Sequence, residues 1–210
     1  MKFKIPKLFR VPQSKRNLLP VDDRRRIIEQ PKPFNPNWQR YCPQLAFPSY
    51  RHVPGVTPHP NKDPQGHSYG LEANDGAIPP PEAWRENEDY LYGVDLYNFA
   101  YWWEAHEAWE EGWVSAVGNQ KLFLQGMIQI SAALIKWNVK QFRGMRSLST
   151  AGRKKLQKIS IGSNNFMGVD LSRFMKRLDL FFDLPHEDNI VIGSLLDTLA
   201  KPLIFLDMKD

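Results

Sequence analysis

The distribution of proline constrains the fold of this chain more than any other feature of its sequence. Of the 17 prolines, 15 lie between Pro6 and Pro81, and the other two are Pro185 and Pro202. Proline fixes φ and donates no backbone hydrogen bond, so a segment this rich in proline cannot form a continuous helix or a central strand. We therefore predict an extended, turn-rich arm over residues 1–83, with one short helix possible at Val21–Gln30.

The arm also carries the positive charge of the chain. Residues 1–51 contain 12 Lys and Arg against 3 acidic residues, whereas the remainder contains 16 against 20. Aromatic side chains are scattered along the arm, and a flexible tail is usually poorer in them. We therefore expect the arm to wrap over a surface, either that of its own core or that of a partner.

A helical period replaces the proline-rich pattern after Glu82. Apolar residues then recur at spacings of three and four, which is typical of amphipathic helices. We predict an all-α fold: a compact bundle of about four to five helices over residues 84–184, preceded by the arm and followed by a segment, residues 185–210, that packs on the bundle. The predicted helices are Asp89–Phe99, Tyr101–Val117, Gln120–Phe142, Met145–Ile159 and Val169–Asp183, with a loop at Gly162–Gly168.

Several classes of protein are excluded by what the sequence lacks. A single cysteine, Cys42, excludes an internal disulfide and a cysteine-based zinc site. Without βαβ alternation, a doubly wound nucleotide-binding sheet is not expected. No apolar run is long enough for a transmembrane helix or follows the basic start as in a secretory signal. We expect a cytoplasmic protein.

The most informative motif, Trp-Trp-Glu-Ala-His-Glu-Ala-Trp-Glu-Glu-Gly-Trp, occupies residues 102–113. At 100° per residue, four side chains share one stripe of this helix: Trp102, His106, Trp109 and Trp113. Glu107 and Glu110 flank the stripe, and Glu110 lies one turn after His106. Glu104 falls on the opposite side, where we expect it to be solvated. His106, Glu107 and Glu110 are therefore the candidate catalytic residues.

Two interpretations of these residues stay open. A buried histidine with carboxylates is either a satisfied core network or an acid/base pair. A metal site is a weaker alternative, because the His-Glu-x-x-His signature would need a histidine at position 110 and the sequence has Glu110. A dimetal carboxylate bundle would need paired Glu-x-x-His motifs, and the chain contains none.

A polar seam is predicted between this helix and the next. The helix at 120–142 is apolar nearly all round, which is typical of a central buried helix, and is interrupted on one line by Gln125, Gln129 and Lys136. Polar groups buried without partners cost about 1–3 kcal/mol each. We therefore expect these three side chains to find partners in the group formed by His106, Glu107 and Glu110.

The residues of this region resemble a known family. Leu96–Trp113 with its Glu-Ala-His-Glu, then Phe-Leu-Gln-Gly-Met-Ile-Gln at residues 123–129, then Arg143-Gly144, is similar in order and spacing to domain-of-unknown-function family 309. The resemblance covers roughly residues 88–160 and implies a compact helical bundle without an assigned activity. Ala100 stands where the family usually has glycine. The family's polar positions map onto Asn98, Glu104, His106, Glu107, Gln125 and Gln129.

A second feature lies in the arm, where His59, Asp63 and His67 recur every four residues. Neighbouring prolines forbid a helix, but a turn at Asp63–Gly66 would fold His67 back towards His59. A metal or catalytic role, turn capping and a partner contact all stay open. Because prolines pre-set its backbone, we expect the His52–Gly70 segment to pack near the second helix, with His59 or His67 close to the Glu104–Glu110 turn.

Two functions remain after these exclusions. The first is a binding or assembly protein, a helical scaffold whose arm docks on a larger protein or complex through five residues: Arg24, Arg25, Arg26, Phe34 and Trp38. An anionic surface suits the charge, but the sequence contains no motif for sequence-specific nucleic-acid binding. The alternative is a small hydrolase-like enzyme that uses His106 with Glu107 or Glu110, with or without a metal. The sequence indicates no particular cofactor.

Overall fold

A computed structural model describes residues 30–71, 78–184 and 201–208. These residues contain a short 3-10 helix, Pro81–Glu86, and a two-stranded hairpin of β1 (Asn165–Phe166) and β2 (Val169–Asp170). Their five α-helices are α1 (Glu88–Asn98), α2 (Trp102–Ser115), α3 (Gly118–Asn138), α4 (Phe142–Ser160) and α5 (Leu171–Phe182). The all-α prediction is confirmed, and every predicted helix end lies within four residues of the observed one. The hairpin includes the end of the predicted Gly162–Gly168 loop and the first two residues of the helix predicted at Val169–Asp183.

Two predictions concern residues that the structure does not describe. Arg24, Arg25 and Arg26 lie outside the described residues, as does the possible helix at Val21–Gln30 except for its last residue. Within the described part, no helix has the length and apolar character needed to cross a membrane.

The bundle is built by helices that pack against their neighbours in sequence, from α1 to α5. Helix α3 is the central one, with 12 of its 21 residues buried. It approaches α4 closely because Gly126 and Gly152 face each other: a Cβ on Gly152 would lie 2.9 Å from the Gly126 carbonyl oxygen. The predicted burial of this helix is confirmed.

The connections that follow α1 and α3 turn through a left-handed residue other than glycine. Ala100, two residues after the end of α1, has a φ of 66°, and Tyr101 N–H donates to the Leu96 carbonyl at 2.8 Å. Lys140, two residues after the end of α3, has a φ of 57°. This closure satisfies carbonyls at the helix end and normally uses glycine. Ala100 therefore forms a sharp turn at a position where the family that the sequence resembles usually has glycine.

Residues 30–71 of the arm cover the bundle with turns and bends, without a helix or strand of their own. Aromatic rings of the arm pack against aromatic rings of the bundle. The Phe34 centroid lies 5.8 Å from that of Trp102 and 5.7 Å from that of Phe181, and Phe47 stacks on Tyr101 at 5.0 Å. Phe34 thus packs inside its own chain, which differs from the partner contact predicted for it, because this aromatic cluster supplies the apolar surface that it buries.

Trp38 and the C-terminal segment meet on another side of the bundle. The Trp38 ring lies edge-on to Phe205 at 6.2 Å. Residues 201–208 run alongside the hairpin, where Leu206 forms a bridge with Val169. Asn98 fixes this segment, since its side chain accepts from Ile204 N–H at 2.9 Å and donates to the Ile204 carbonyl at 2.8 Å. Trp38 thus also contacts its own chain.

Candidate functional site

Glu104 is the residue at which the arm meets α2. Its side chain is only 4% exposed, so the expectation of a solvated carboxylate is wrong. Oε1 accepts from the His52 backbone N–H at 2.8 Å and from His67 Nε2 at 3.0 Å. The helical wheel showed only the face of α2, whereas the arm lies over that face and buries it. We call Glu104, His52 and His67 the Glu104 cluster.

The prediction that the His52–Gly70 segment packs near α2 is confirmed. Gly66 N–H donates to the Asp63 carbonyl at 2.8 Å, which forms the expected turn, and Gln65 N–H donates to Asp63 Oδ1 at 2.9 Å. The turn brings His67 back to Glu104. Three of the chain's five histidines, His52, His59 and His67, are thereby brought to one helix.

Two of these histidines pack against Trp103. The ring centroids of His52 and His59 lie 5.1 and 5.4 Å from the indole, both edge-on. His52 Nδ1 lies 3.1 Å from the Pro58 carbonyl, which can only accept, so Nδ1 carries the proton in this contact. Burial, reinforced by repulsion from His59, lowers the pKa of His52 to about 4. This ring is therefore neutral at pH 7.

The second group on α2, which we call the His106 cluster, consists of His106, Glu107 and Glu110. His106 is 4% exposed. Its Nδ1 lies 3.2 Å from Glu107 Oε1, and its Nε2 lies 3.8 Å from Glu110 Oε2. Burial raises the pKa of Glu110, opposed by the charge on His106 and reinforced by Glu107. The cluster therefore brings one imidazole and two carboxylates within ion-pair distance of each other.

The His106 cluster is also the group that resembles a metal site. Within the described ranges, it is the one set of three or more His, Cys, Asp or Glu residues whose ligand atoms converge, all within 4.8 Å of one another. Imidazole and carboxylate ligands suit zinc and similar divalent cations. His59, Asp63 and His67 do not converge, because they serve ring packing, turn formation and Glu104, respectively.

In the described part of the arm, Asn61 reaches the His106 cluster. Asn61 Nδ2 donates to Glu107 Oε2 at 3.4 Å. Glu107 therefore faces both the arm and His106, and the Glu104 and His106 clusters are neighbours on α2 that the same arm segment touches.

Of the polar side chains of α3, Ser131 bonds to α2, with Oγ donating to the Trp102 carbonyl at 2.6 Å, whereas Gln129 and Lys136 bond away from α2. Gln129 Oε1 accepts from Lys155 Nζ of α4 at 3.0 Å, and Lys136 Nζ donates to Gln141 Oε1 at 2.8 Å. Gln125 is half-buried on the same helix. Gln129 therefore bonds to α4, and Lys136 bonds to the turn before α4, instead of forming the predicted polar seam with α2. The reason is that α4 packs on α3 more extensively than we predicted from the sequence.

Asp95 is a site residue that the sequence analysis missed. Its side chain is fully buried and accepts from Tyr41 N–H at 2.7 Å, from Cys42 N–H at 2.9 Å and from Arg40 Nε at 3.2 Å. Burial and the charge of Asp95 raise the pKa of Cys42 to about 11, so this thiol stays protonated. The available signal was an aspartate between Val94 and Leu96 on an apolar stretch of α1.

One cavity adjoins the Glu104 cluster. It has a volume of about 10 Å³ and is lined by Pro31, His52, Val53, Trp102, Ile135 and Asn138. A cavity of this size holds about one water molecule. The arm thus closes over α2 with little space left beneath it.

Comparison with known proteins agrees with the resemblance seen in the sequence. Residues 90–148 match the family model described as Domain of unknown function (DUF309). No curated protein and no solved structure matches the chain. The matched range contains most of α1, all of α2 and α3 and the start of α4, and it includes Asp95, Glu104 and His106. Residues 90–148 of this chain are therefore similar to the DUF309 family.

Proposed function

We propose that this chain is a binding and assembly protein, a helical scaffold whose basic N-terminal segment docks on a larger protein or complex. The observation that carries the proposal is the burial of two histidine side chains: His106 is 4% and His52 6% exposed, whereas the carboxylates of Glu107 and Glu110 are partly exposed. Acid/base chemistry needs the titratable pair within reach of a substrate. The cavity beside His52 has room for about one water molecule.

The way the arm is attached supports the same function. Residues 30–71 are held to the bundle by buried acceptors, Asp95 for residues 40–42 and Glu104 for His52 and His67. Residues 1–29 contain nine Lys and Arg against three acidic residues. Because the arm is anchored in this way, its basic segment is attached at a defined place on the scaffold. The positive charge of this segment favours a partner with an acidic surface.

The test compares two variants of the full chain with equal loss of charge. The first carries Arg24→Gln, Arg25→Gln and Arg26→Gln, and the control carries Lys62→Gln, Arg173→Gln and Lys176→Gln, three exposed positions elsewhere. Partner capture from the native host, quantified by cross-linking mass spectrometry, should fall at least about fivefold for the first variant and weaken as salt rises, since exposed charges are screened within ~8–10 Å. Equal recovery with both variants would contradict the proposal.

A second candidate function rests on the geometry of the His106 cluster. Its ligand atoms converge within 4.8 Å, and burial raises the pKa of Glu110. A small hydrolase-like enzyme would use His106 and Glu110 as its acid/base pair, with or without a metal. Calorimetric titration of the full chain with Zn²⁺ and Mn²⁺ tests the metal-assisted form, and Glu110→Gln should abolish any binding that is specific to the cluster.

The effect of His106→Ala on the free energy of unfolding distinguishes the binding function from the enzymatic one. If His106 belongs to a core network, His106→Ala should lower the free energy of unfolding by about 2–4 kcal/mol, through a cavity and polar neighbours left without a partner. A thermal melt that overlays the wild-type melt would favour the catalytic alternative.

A further inference from the structure

Helix α4 has one face turned to solvent along its whole length. Its exposed residues fall on a single side when placed at 100° per residue, and they are Arg143, Arg146, Ser147, Thr150, Lys154, Gln157 and Lys158. Four are cationic, three are uncharged hydrogen-bonding side chains, and the helix contains no acidic residue. We call these seven residues the α4 basic face. From Arg143 to Lys158 it extends ~22 Å at 1.5 Å per residue.

The other two cations of α4 have structural roles. Arg153 pairs with Asp179 at 2.7 Å and with Asp183 at 2.9 Å, which ties α4 to α5. Lys155 donates to Gln129 of α3. Burial lowers the pKa of Lys155, and the charge of Lys158 lowers it further, so the cations at this end of the helix repel one another. Such crowding favours an anion that binds several of them at once.

The residue types of the α4 basic face favour some classes of anionic ligand over others. A membrane-surface helix inserts an apolar face, but the apolar side of α4 is buried in the bundle, including Met145, Leu148 and Leu156. Protein interfaces depend on aromatic and apolar anchors, and single-stranded nucleic acid needs aromatic stacking platforms. All seven residues of the α4 basic face lack such groups.

The residue types and the length of the α4 basic face are suited to a nucleic-acid phosphate backbone. Contacts to phosphate and sugar oxygens in protein–nucleic acid complexes come from Arg and Lys together with Ser, Thr and Gln side chains, which are the residue types of this face. A rigid helical row of about 22 Å suits a duplex, whose phosphates lie in a regular array. We propose that the α4 basic face binds the phosphate backbone of double-stranded nucleic acid without reading its sequence. This surface differs from the N-terminal segment proposed to dock on a protein, and neither proposal depends on the other.

The experiment measures binding of the full chain by fluorescence anisotropy as a function of salt. The probe is a mixed-sequence duplex longer than the face, prepared as RNA and as DNA. The test variant carries Arg143→Gln, Arg146→Gln, Lys154→Gln and Lys158→Gln. The control carries Lys32→Gln, Lys62→Gln, Arg173→Gln and Lys176→Gln, which remove the same charge at exposed positions outside α4.

The test variant should bind at least about tenfold more weakly than the control, and the magnitude of the slope of log K against log salt should fall by about 3.6, as expected for four lost phosphate contacts. Circular dichroism checks that both variants remain folded. Stronger binding to RNA than to DNA, or the reverse, identifies which duplex the face fits.

Three results would overturn the proposal. The first is equal weakening in both variants, which would mean that net charge alone decides binding. The second is tighter binding to phosphatidylserine vesicles or to polyglutamate than to either duplex. The third is duplex binding that is lost with Arg24→Gln, Arg25→Gln and Arg26→Gln but unchanged in the α4 variant. That outcome would leave the docking function of the N-terminal segment untouched.

Discussion

The α1–α2 side of the bundle and the outer face of α4 use charge in opposite ways. Asp95 and Glu104 are buried carboxylates, and each accepts hydrogen bonds from the arm. The four cations of the α4 basic face are exposed, on a helix without acidic residues. A buried charge must be paired and hydrogen-bonded within its own chain, whereas an exposed charge remains in contact with solvent. The first side therefore holds the protein together, and the second contributes to binding.

The largest expected effect is on the carboxylate with the most partners. Asp95→Ala leaves Arg40 and the backbone N–H groups of Tyr41 and Cys42 without their common acceptor. Removing one partner from a buried charge pair costs about 3–5 kcal/mol. We expect urea unfolding to show a loss of this size and proteases to cleave earlier within residues 30–71.

The control for Asp95→Ala is Asp89→Ala on the same helix, at an exposed position. It should change the free energy of unfolding by less than about 1 kcal/mol, mainly through its place near the helix N-terminus. Equal losses for both variants would show that the burial of Asp95 has no special consequence, and the contrast with the α4 face would fail.

The second prediction concerns pH, because the two regions differ in the groups that titrate. His52 has a pKa of about 4 in the folded protein and about 6.5 when unfolded. Between these pH values the unfolded chain binds a proton that the folded chain does not, so stability falls as pH decreases from 6.5 to 4. The loss amounts to about 3 kcal/mol over the full window.

Urea melts at several pH values check this expectation, with His52→Asn as the comparison. Asparagine has an amide N–H that can replace Nδ1–H at the Pro58 carbonyl but does not titrate. Its stability should depend less steeply on pH than that of the wild type. Parallel curves for the two proteins would show that His52 is not the group responsible.

A smaller effect is expected at Glu104. Glu104→Gln keeps an oxygen that accepts from His52 N–H but removes the charge that attracts His67. The hydrogen bond to an ionised acceptor is replaced by one between neutral groups, which costs about 1–2 kcal/mol. Hydrogen exchange should accelerate within residues 52–67 and stay unchanged in α3 and α4. Glu111→Gln, on the exposed side of α2, should leave exchange in the arm unchanged.

The helices could be predicted from the sequence because each depends on local patterns of apolar residues and turns. The position of the His52–Gly70 segment was also predictable, since prolines, histidines and a turn signal at Asp63–Gly66 all favoured docking. The burial of Glu104 was not, because a helical wheel describes one helix and contains no information about a segment some 40 residues earlier that covers it. Asp95 was missed for the same reason, since its partners lie 53 to 55 residues away.

The smallest predicted effect lies at the turn that leads into α4. Lys140 has a φ of 57° and is exposed, a conformation that favours glycine because a Cβ is strained there. Lys140→Gly should therefore be about 1 kcal/mol more stable than Lys140→Ala, which removes the same charge but keeps the Cβ. Chemical unfolding of the two variants measures the difference. If both variants are at least as stable as the wild type, while loss of the Asp95 or Glu104 carboxylate lowers stability, the Lys140 cation is not needed for folding. If Lys140→Gly is instead less stable than Lys140→Ala, strain of the left-handed backbone does not decide stability at this turn.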